Sequence, residues 1–371
     1  MRDEHGSDRH GVRLTMWWVL RVCVSRSWGM WVLVLLWTAA CGDSAPPPSI
    51  TFTKIPPADK GGPDVLDTIE GRITGVRPGE RLVIYGRSSV WWVQPDPNSP
   101  YTEIREDSTF SARTHLGTEY AALLVAPDYQ PPATLETLPR EGGSVVRLVV
   151  VPGDPKAKAV RHTLRFAGYE WTVRAAPSDR GGPNKFDPAN AWTDVNGAVH
   201  LRIAGEPGHW TCAELTLTRS FGYGLYSFTV DDISMLDPAA RFVIFTWDGP
   251  AVAQYGREMA ITIGRHGERP KDNARYVIEP IDLPANRSNF FAPAGVLTHQ
   301  LRWEPDRATF RTFRGARPAS NARPVAQHTF TSGVPAAGNE TIRFSLYVFQ
   351  SSPTPMQKPA EVVVRRFTFE P

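Results

Sequence analysis

The segment 257–263 carries the side chains of this chain that are best suited to chemistry. Side chains alternate between the two faces of a β-strand, so Glu258, Ala260 and Thr262 share one face. Met259, Ile261 and Ile263 share the opposite face, which they make apolar. Hydrolysis of a glycosidic bond with retention uses two carboxyl groups about 5 Å apart, one as nucleophile and one as acid and base. This face supplies one carboxylate, so the pattern favours binding over cleavage.

Other carboxylates could supply the missing acid. Three of them lie on segments that we expect near this face, namely Asp248, Glu268 and Glu214. A purely structural role for Glu258 is the other option. In that role its carboxylate hydrogen-bonds sugar hydroxyls or pairs with Arg257 or Arg265.

The elements that must position these residues are predicted to be β-strands throughout. The 371 residues include 34 prolines and 30 glycines, a mixture that suits many short strands joined by turns. No segment keeps a helical period for more than a turn or two. We therefore expect an all-β protein with an accessory β-sandwich of prealbumin-like or Ig-like type over 53–152 and a second β-domain over 165–371.

The second domain contains five sequence motifs whose order along the chain can be compared with that of known families. Its segments are Trp171 with 181–184 (GGPN), 194–201 (DVNGAVHL), 214–228 with the turn FGYGLY, 243–248 (VIFTWD) and 257–263. This order resembles that of family 16 glycoside hydrolases, the laminarinase and lichenase group, over about 200 residues. The resemblance implies a concanavalin A-like jelly roll, with a tight hairpin whose two-residue turn is Asn196-Gly197.

The same resemblance assigns roles to the residues of 257–263. Family members carry Glu-x-Asp-x-Glu, in which the first Glu is the nucleophile and the last is the acid and base. Here Glu258 keeps the nucleophile position, Ala260 replaces the Asp, and Thr262 replaces the acid and base. Loss of a positioned general acid commonly costs about 10²- to 10⁴-fold in rate.

Binding of a polysaccharide can survive that loss, because it depends on aromatic rings and polar groups along a groove. The resemblance implies β-glucan or a related polymer as partner. The candidate sugar-stacking residues are Trp192, Trp210, Tyr223, Trp247 and Tyr255.

The amino terminus is typical of an export signal. The uncharged run 30–37 leads into small residues and Cys41, and this arrangement resembles a bacterial lipobox. We expect a signal peptide over 1–41, lipidation of Cys41 and a proline-rich tether over 42–52. Plain secretion or membrane insertion is the alternative. Cys212 is then the one cysteine left in the mature chain, and we expect it to be a buried small apolar side chain.

Several function classes are disfavoured. A net charge of +3, with basic and acidic residues interleaved, gives no reason to expect a nucleic-acid partner. No histidine pair has zinc-ligand spacing, and the chain lacks a phosphate-binding glycine loop and a Gly-x-Ser-x-Gly elbow. Family 16 proteins often bind a structural calcium, but no acidic cluster indicates one. We expect no cofactor.

Three hypotheses follow. The first is a lipid-anchored, carbohydrate-binding protein of the bacterial cell envelope, built on a catalytically impaired jelly roll. The second is an active endo-β-glucanase that uses Glu258 as nucleophile with a non-standard acid and base. The third is a structural envelope protein in which both β-domains bind other proteins.

Overall fold

The fold consists almost entirely of β-strands. A computed structural model describes residues 46–371 apart from 63, 179, 249–256 and 265–271. Cys41, Tyr255 and Glu268 lie outside the described residues. Within the described chain, strands are joined by loops and two short 3₁₀ helices, Pro188–Asn190 and Pro284–Asn286, which confirms the all-β prediction. No helix of this part is both long enough and apolar enough to cross a membrane.

The first nine strands build two antiparallel sheets. They are β1 (Ser49–Lys54), β2 (Leu66–Thr74), β3 (Arg81–Ser88), β4 (Val90–Gln94), β5 (Tyr101–Thr102), β6 (Thr109–His115), β7 (Glu119–Val125), β8 (Thr134–Leu135) and β9 (Val145–Pro152). One sheet has the order β1-β2-β6, and the other has the order β8-β4-β3-β7-β9 with β5 beside β3. Ile69, Phe110 and Tyr120 are among the buried side chains of the core that these strands share.

The remaining strands build two larger sheets. They are β10 (His162–Phe166), β11 (Tyr169–Val173), β12 (Lys185–Phe186), β13 (Ala191–Thr193), β14 (Val199–Ile203), β15 (Thr211–Leu217), β16 (Gly224–Val230), β17 (Ala240–Trp247), β18 (Met259–Ile263), β19 (Ala274–Ile278), β20 (Arg287–Phe290), β21 (Leu297–Glu304), β22 (Arg307–Arg314), β23 (Ala326–Phe330), β24 (Thr341–Val348) and β25 (Ala360–Glu370).

These strands form a jelly roll of two sheets. The nine-stranded sheet has the order β10-β11-β15-β24-β17-β18-β19-β20, with β12 beside β15. The seven-stranded sheet has the order β13-β14-β25-β16-β21-β22-β23. Along each strand, alternate side chains point into the layer between the sheets. The other side chains of the nine-stranded sheet point away from that layer and can form a binding site.

Aromatic rings fill the layer between the two sheets. Trp171 stacks on Phe344 within the nine-stranded sheet, with centroids 4.7 Å apart. Phe228 stacks on Phe367 in the seven-stranded sheet at 5.3 Å, and Trp171 meets Phe367 edge-on at 5.7 Å. Burial of each such side chain contributes about 1.5–3 kcal/mol. Because these rings are buried between the sheets, the opposite face of β24 and its neighbouring strands must point outward.

Cys212 belongs to the same core. Its side chain is fully buried and forms no disulfide among the described residues, which confirms the prediction of a buried small side chain. Its thiol donates to Asn184 Oδ1 at 3.5 Å. Burial raises the pKa of its thiol to about 12. A thiol in this state is a poor nucleophile.

The hairpin between β13 and β14 differs from the predicted two-residue turn. The Asp194 N–H donates to the Ala198 carbonyl at 2.9 Å, so three residues form the loop. Only Gly197 of the predicted pair has positive φ, at 78°. The Asp194 carboxylate accepts hydrogen bonds from the backbone N–H groups of Asn196 and Ala198, both at 2.9 Å. This side chain stabilises the longer loop, which ends on a left-handed glycine.

Candidate functional site

A cleft of about 600 Å³ opens on the outward face of the nine-stranded sheet. Strand β18 contributes Ala260 and Thr262, and Glu258 lies immediately before that strand. Val277 of β19 and Tyr347 of β24 line the cleft beside them. The alternation predicted for 257–263 is confirmed, because Met259, Ile261 and Ile263 are buried in the core.

Glu258 is held by an arginine from a distant part of the chain. Arg180 donates from Nη1 to Oε1 at 3.2 Å and from Nη2 to Oε2 at 2.5 Å. Both carboxylate oxygens of Glu258 are therefore engaged in a two-pronged ion pair. The guanidinium also lies 4.0 Å from the centroid of the Phe245 ring. Burial alone would lower the pKa of Arg180, but the Glu258 carboxylate raises it, so the guanidinium stays charged.

The loop that carries Arg180 is shaped by its glycines and by Asn184. Gly181 has φ of 70°, and a Cβ there would lie 2.4 Å from the ring of Tyr347. Asn184 Nδ2 donates to the Arg180 carbonyl at 2.8 Å and to the Val348 carbonyl at 2.9 Å. The loop is thus fastened to β24 at the distance that lets Arg180 reach Glu258.

Ala260 and Thr262 offer no acid in the cleft. Ala260 is 2% exposed and lies between Phe245 and Val277 in the sheet register. Thr262 is half-buried and lies opposite Arg275 of the neighbouring strand β19. A threonine hydroxyl cannot protonate a departing sugar oxygen near neutral pH.

A second carboxylate in the cleft is Glu279. Met259 faces Ile278 in the register, and the Glu279 N–H donates to the Glu258 carbonyl at 3.0 Å. The two glutamates are therefore cross-strand neighbours, whose Cβ atoms are typically about 4.5–5.5 Å apart. Burial raises the pKa of Glu279, and the nearby Glu258 charge raises it further. Glu279 consequently holds its proton to higher pH than an ordinary glutamate.

The other carboxylates suggested by the sequence are engaged elsewhere. Asp248 accepts from Arg257 Nη1 at 2.8 Å, so of the two suggested partners of Glu258 the Arg257 alternative was wrong, and Arg265 lies outside the described residues. Loop geometry explains this, because Arg180 occupies both oxygens of Glu258. Glu214 is fully buried between Arg174 at 3.0 Å and Arg343 at 3.1 Å, which removes it from the cleft.

The candidate aromatic residues lie in different places. Trp192 belongs to the seven-stranded sheet and stacks on His200 at 4.9 Å. Tyr223 packs edge-on against Trp303 at 5.2 Å, and Trp210 packs half-buried against the core. Trp247 lies on the cleft face of β17, farther along the strand than Phe245. The structure therefore brings one described candidate, Trp247, to the same face as Glu258.

Five charged residues of the described cleft lining were absent from the sequence-based candidates, namely Arg180, Arg241, Arg275, Arg287 and Glu279. The contact of Arg180 with Glu258 depends on the path of the Gly181 loop, and the position of Glu279 depends on the register of β18 against β19. Arg241 is the second residue of β17 and the one charged residue of that largely apolar strand. Its charge was the local signal that the sequence offered. Within the described chain no group of three or more His, Cys, Asp or Glu side chains could hold a metal ion.

Comparisons with known proteins find similar solved structures. No family model matches the chain, and no curated protein matches it. Among solved structures, a prokaryotic β-1,3-1,4-glucanase (lichenase) from a mouse hindgut metagenome is similar at 14% identity and a TM-score of 0.43, over 57% of this chain and 99% of that one. A β-glucanase of Bacillus licheniformis is similar at 15% identity and a TM-score of 0.40, over 51% and 85%.

A third solved structure comes from Mycobacterium tuberculosis and is described as an immunostimulatory antigen and pseudo β-1,3-glucanase. It is similar at 17% identity and a TM-score of 0.42, over 54% of this chain and 91% of that one. Identities this low leave the chemistry of the cleft to be judged from this chain's own geometry.

Proposed function

We propose that this protein binds a polysaccharide in the cleft and has little or no hydrolytic activity. The observation that carries the proposal is the ion pair of Glu258, whose two oxygens both accept from Arg180. A nucleophile attacks with an oxygen lone pair, and the two hydrogen bonds and the positive charge of Arg180 lower the nucleophilicity of both oxygens. Ala260 and Thr262 leave the same face without the other carboxyl groups of the family pattern.

The cleft has the properties of a sugar site. It combines charged groups with an apolar floor that includes Ala260 and Val277, and its volume fits several sugar rings. Charged hydrogen-bonding groups suit sugar hydroxyls, since each can donate to or accept from them at low entropic cost when it is already held in place. The arginine and glutamate of the central pair are held in this way.

Affinity gel electrophoresis against neutral and acidic polysaccharides tests the proposal. We expect retardation by at least one polymer, and loss of it in Thr262→Trp, whose indole would fill the cleft. The matched control is Thr329→Trp, at an exposed position on β23 of the seven-stranded sheet. A folded protein that binds no polysaccharide would sink the proposal, and equal binding by both variants would move the site elsewhere.

Hydrolysis is the second candidate function, and Glu279 is the observation that favours it. Its raised pKa suits a general acid, and its position opposite Glu258 gives the cleft two carboxyl groups. Release of reducing ends from a bound polymer would then fall at least about 100-fold in both Glu258→Gln and Glu279→Gln. Exposed Glu304→Gln is the control. Activity that survives Glu258→Gln contradicts this assignment.

We further propose that Cys41 is lipidated and anchors the protein at the bacterial cell envelope. The support is the sequence 30–44 alone, in which an apolar run precedes small residues and a cysteine. Mass spectrometry of the protein expressed from its own start should find a diacylglyceryl group on Cys41. Release of unmodified protein into the medium would contradict the anchor.

A further inference from the structure

The described lining of the cleft holds more arginines than glutamates. Among the described lining residues there are four arginines, which we call the arginine cluster: Arg180, Arg241, Arg275 and Arg287. The described acidic lining residues are Glu258 and Glu279. Glu258 neutralises Arg180, and Arg275 Nε donates to Asn289 Oδ1 at 2.9 Å.

Arg241 is the most unusual member of the cluster. Its side chain belongs to a residue only 4% exposed, and its Nη1 has no hydrogen-bond partner in the described part of the chain. Its guanidinium carbon lies 4.4 Å from the centroid of the Phe349 ring. No carboxylate of the described residues forms an ion pair with it. A buried charge without a partner is costly, so it is retained where a ligand can supply the opposite charge.

The surroundings of Arg241 leave room for its guanidinium. Gly264 lies next to it, and a Cβ on that residue would come within 2.9 Å of Nη1. Burial lowers the pKa of Arg241, Tyr347 opposes that effect, and the positive charge of Arg275 adds to the lowering. An anion beside Arg241 would offset the desolvation of its guanidinium.

We infer that the Arg241 end of the cleft binds the anionic group of an acidic sugar, so that the ligand is a polysaccharide bearing carboxylate or sulfate groups. Arginine suits this role because its planar fork can donate two parallel hydrogen bonds to such an anion. The inference rests on the proposed polysaccharide binding and specifies its ligand class. Carboxylate and sulfate share this chemistry, and the experiment separates them.

The test compares each acidic polymer with its own neutral form. Polygalacturonate is paired with its carboxyl-reduced product, and a sulfated galactan is paired with its desulfated product. Isothermal titration of the full chain should give at least about 10-fold tighter binding to one acidic polymer than to its neutral form. Whichever pair shows the difference identifies the anion. Equal affinity within both pairs would overturn the inference.

Variants locate the anion. Arg241→Gln should lower affinity for the preferred acidic polymer about 10-fold or more and leave affinity for its neutral form unchanged. The control Arg307→Gln removes one positive charge from an exposed position on the seven-stranded sheet and should change either affinity less than about two-fold. An equal loss for both polymers in Arg241→Gln would mean a structural role and would overturn the inference.

A second variant and the comparison of neutral with acidic polymers separate a failure of this inference from a failure of the proposed function. If Arg241→Gln does not fold, Arg241→Lys takes its place, because it keeps the charge but loses the two-pronged geometry. Arg241→Lys should lower the affinity for the acidic polymer and leave the affinity for its neutral form unchanged. Binding of neutral polymers with no preference for acidic ones would defeat this inference and leave the proposed function standing. Absence of binding to every polymer by a folded protein would defeat both.

Discussion

At the scale of single residues, the cleft is centred on the ion pair of Glu258 and Arg180. Arg180 donates a hydrogen bond to each carboxylate oxygen of Glu258. The two hydrogen bonds fix the position of the carboxylate and make it a preorganised polar contact. The same geometry that disfavours attack on a sugar carbon favours hydrogen bonding to sugar hydroxyls.

The coupling between the two cleft glutamates is measurable. In Glu258→Gln, the pKa of Glu279 should fall, because the neighbouring negative charge is gone and Arg180 is released from its partner. Carbon-detected NMR titration of the side-chain carboxyl groups measures this shift. Glu304→Gln, on the hairpin of the other sheet, should leave the titration of Glu279 unchanged. A rise in the pKa of Glu279 in Glu258→Gln would contradict the assigned register.

At the scale of elements, the outward face of the nine-stranded sheet is what positions the site. Strand alternation in 257–263 was enough to predict that Glu258, Ala260 and Thr262 share a face. It was insufficient for loops, since the β13–β14 connection has three residues where a two-residue turn was expected. The side chain of Asp194 caps that loop, and such a capping bond is not encoded by the Asn196-Gly197 pair itself.

This loop gives a clean test of backbone strain. Gly197 has φ of 78°, and a Cβ added there would meet nothing within 4 Å, so Gly197→Ala should cost conformational energy alone, about 1–2 kcal/mol. Urea unfolding measures the change. Gly197→Asn should cost less, because asparagine tolerates the left-handed region better. Equal stability of Gly197→Ala and the wild type would show that the loop can change its turn type.

At the scale of the whole molecule, a buried charge network ties the amino-terminal sheets to the jelly roll. Arg343 of β24 donates to Asp64 at 3.0 Å and to Glu214 at 3.1 Å, and Arg174 donates to Glu214 at 3.0 Å. Asp64 precedes β2, so the network joins residues far apart in sequence. Burial alone would raise the pKa of Glu214, but its two arginines lower it to about 2.

Removing the centre of this network should be severe. Glu214→Gln leaves two buried arginines short of a carboxylate and should reduce the free energy of unfolding by about 3–5 kcal/mol at pH 7. Equilibrium urea unfolding measures the loss. Glu361→Gln is the matched control, since its carboxylate is 43% exposed and pairs with His200, and it should cost less than about 1 kcal/mol. A loss below that control value for Glu214→Gln would contradict the assigned role.

Stability should also depend on a buried histidine. Burial lowers the pKa of His299 from 6.5 to about 4. Below pH 6.5 this histidine is protonated in the unfolded chain, whereas in the folded protein it stays neutral down to about pH 4. Its contribution to the free energy of unfolding therefore falls as the pH falls from 6.5 to about 4, by about 3 kcal/mol in total. The unfolding free energy of His299→Gln, referenced to its own value at pH 7, should decline less than that of the wild type. Parallel declines would contradict a neutral buried His299.

The sequence by itself determined the features that depend on local periodicity. A period of two assigned the polar and apolar faces of 257–263, and strand-like composition throughout predicted an all-β chain with Cys212 in its core. Pairing between distant segments was decided only by the tertiary structure. Arg180 reaches Glu258 across 78 positions because a glycine loop is fastened to β24, and Glu279 faces Glu258 through the register of two strands. These contacts depend on loop paths and strand register, which local side-chain patterns do not specify.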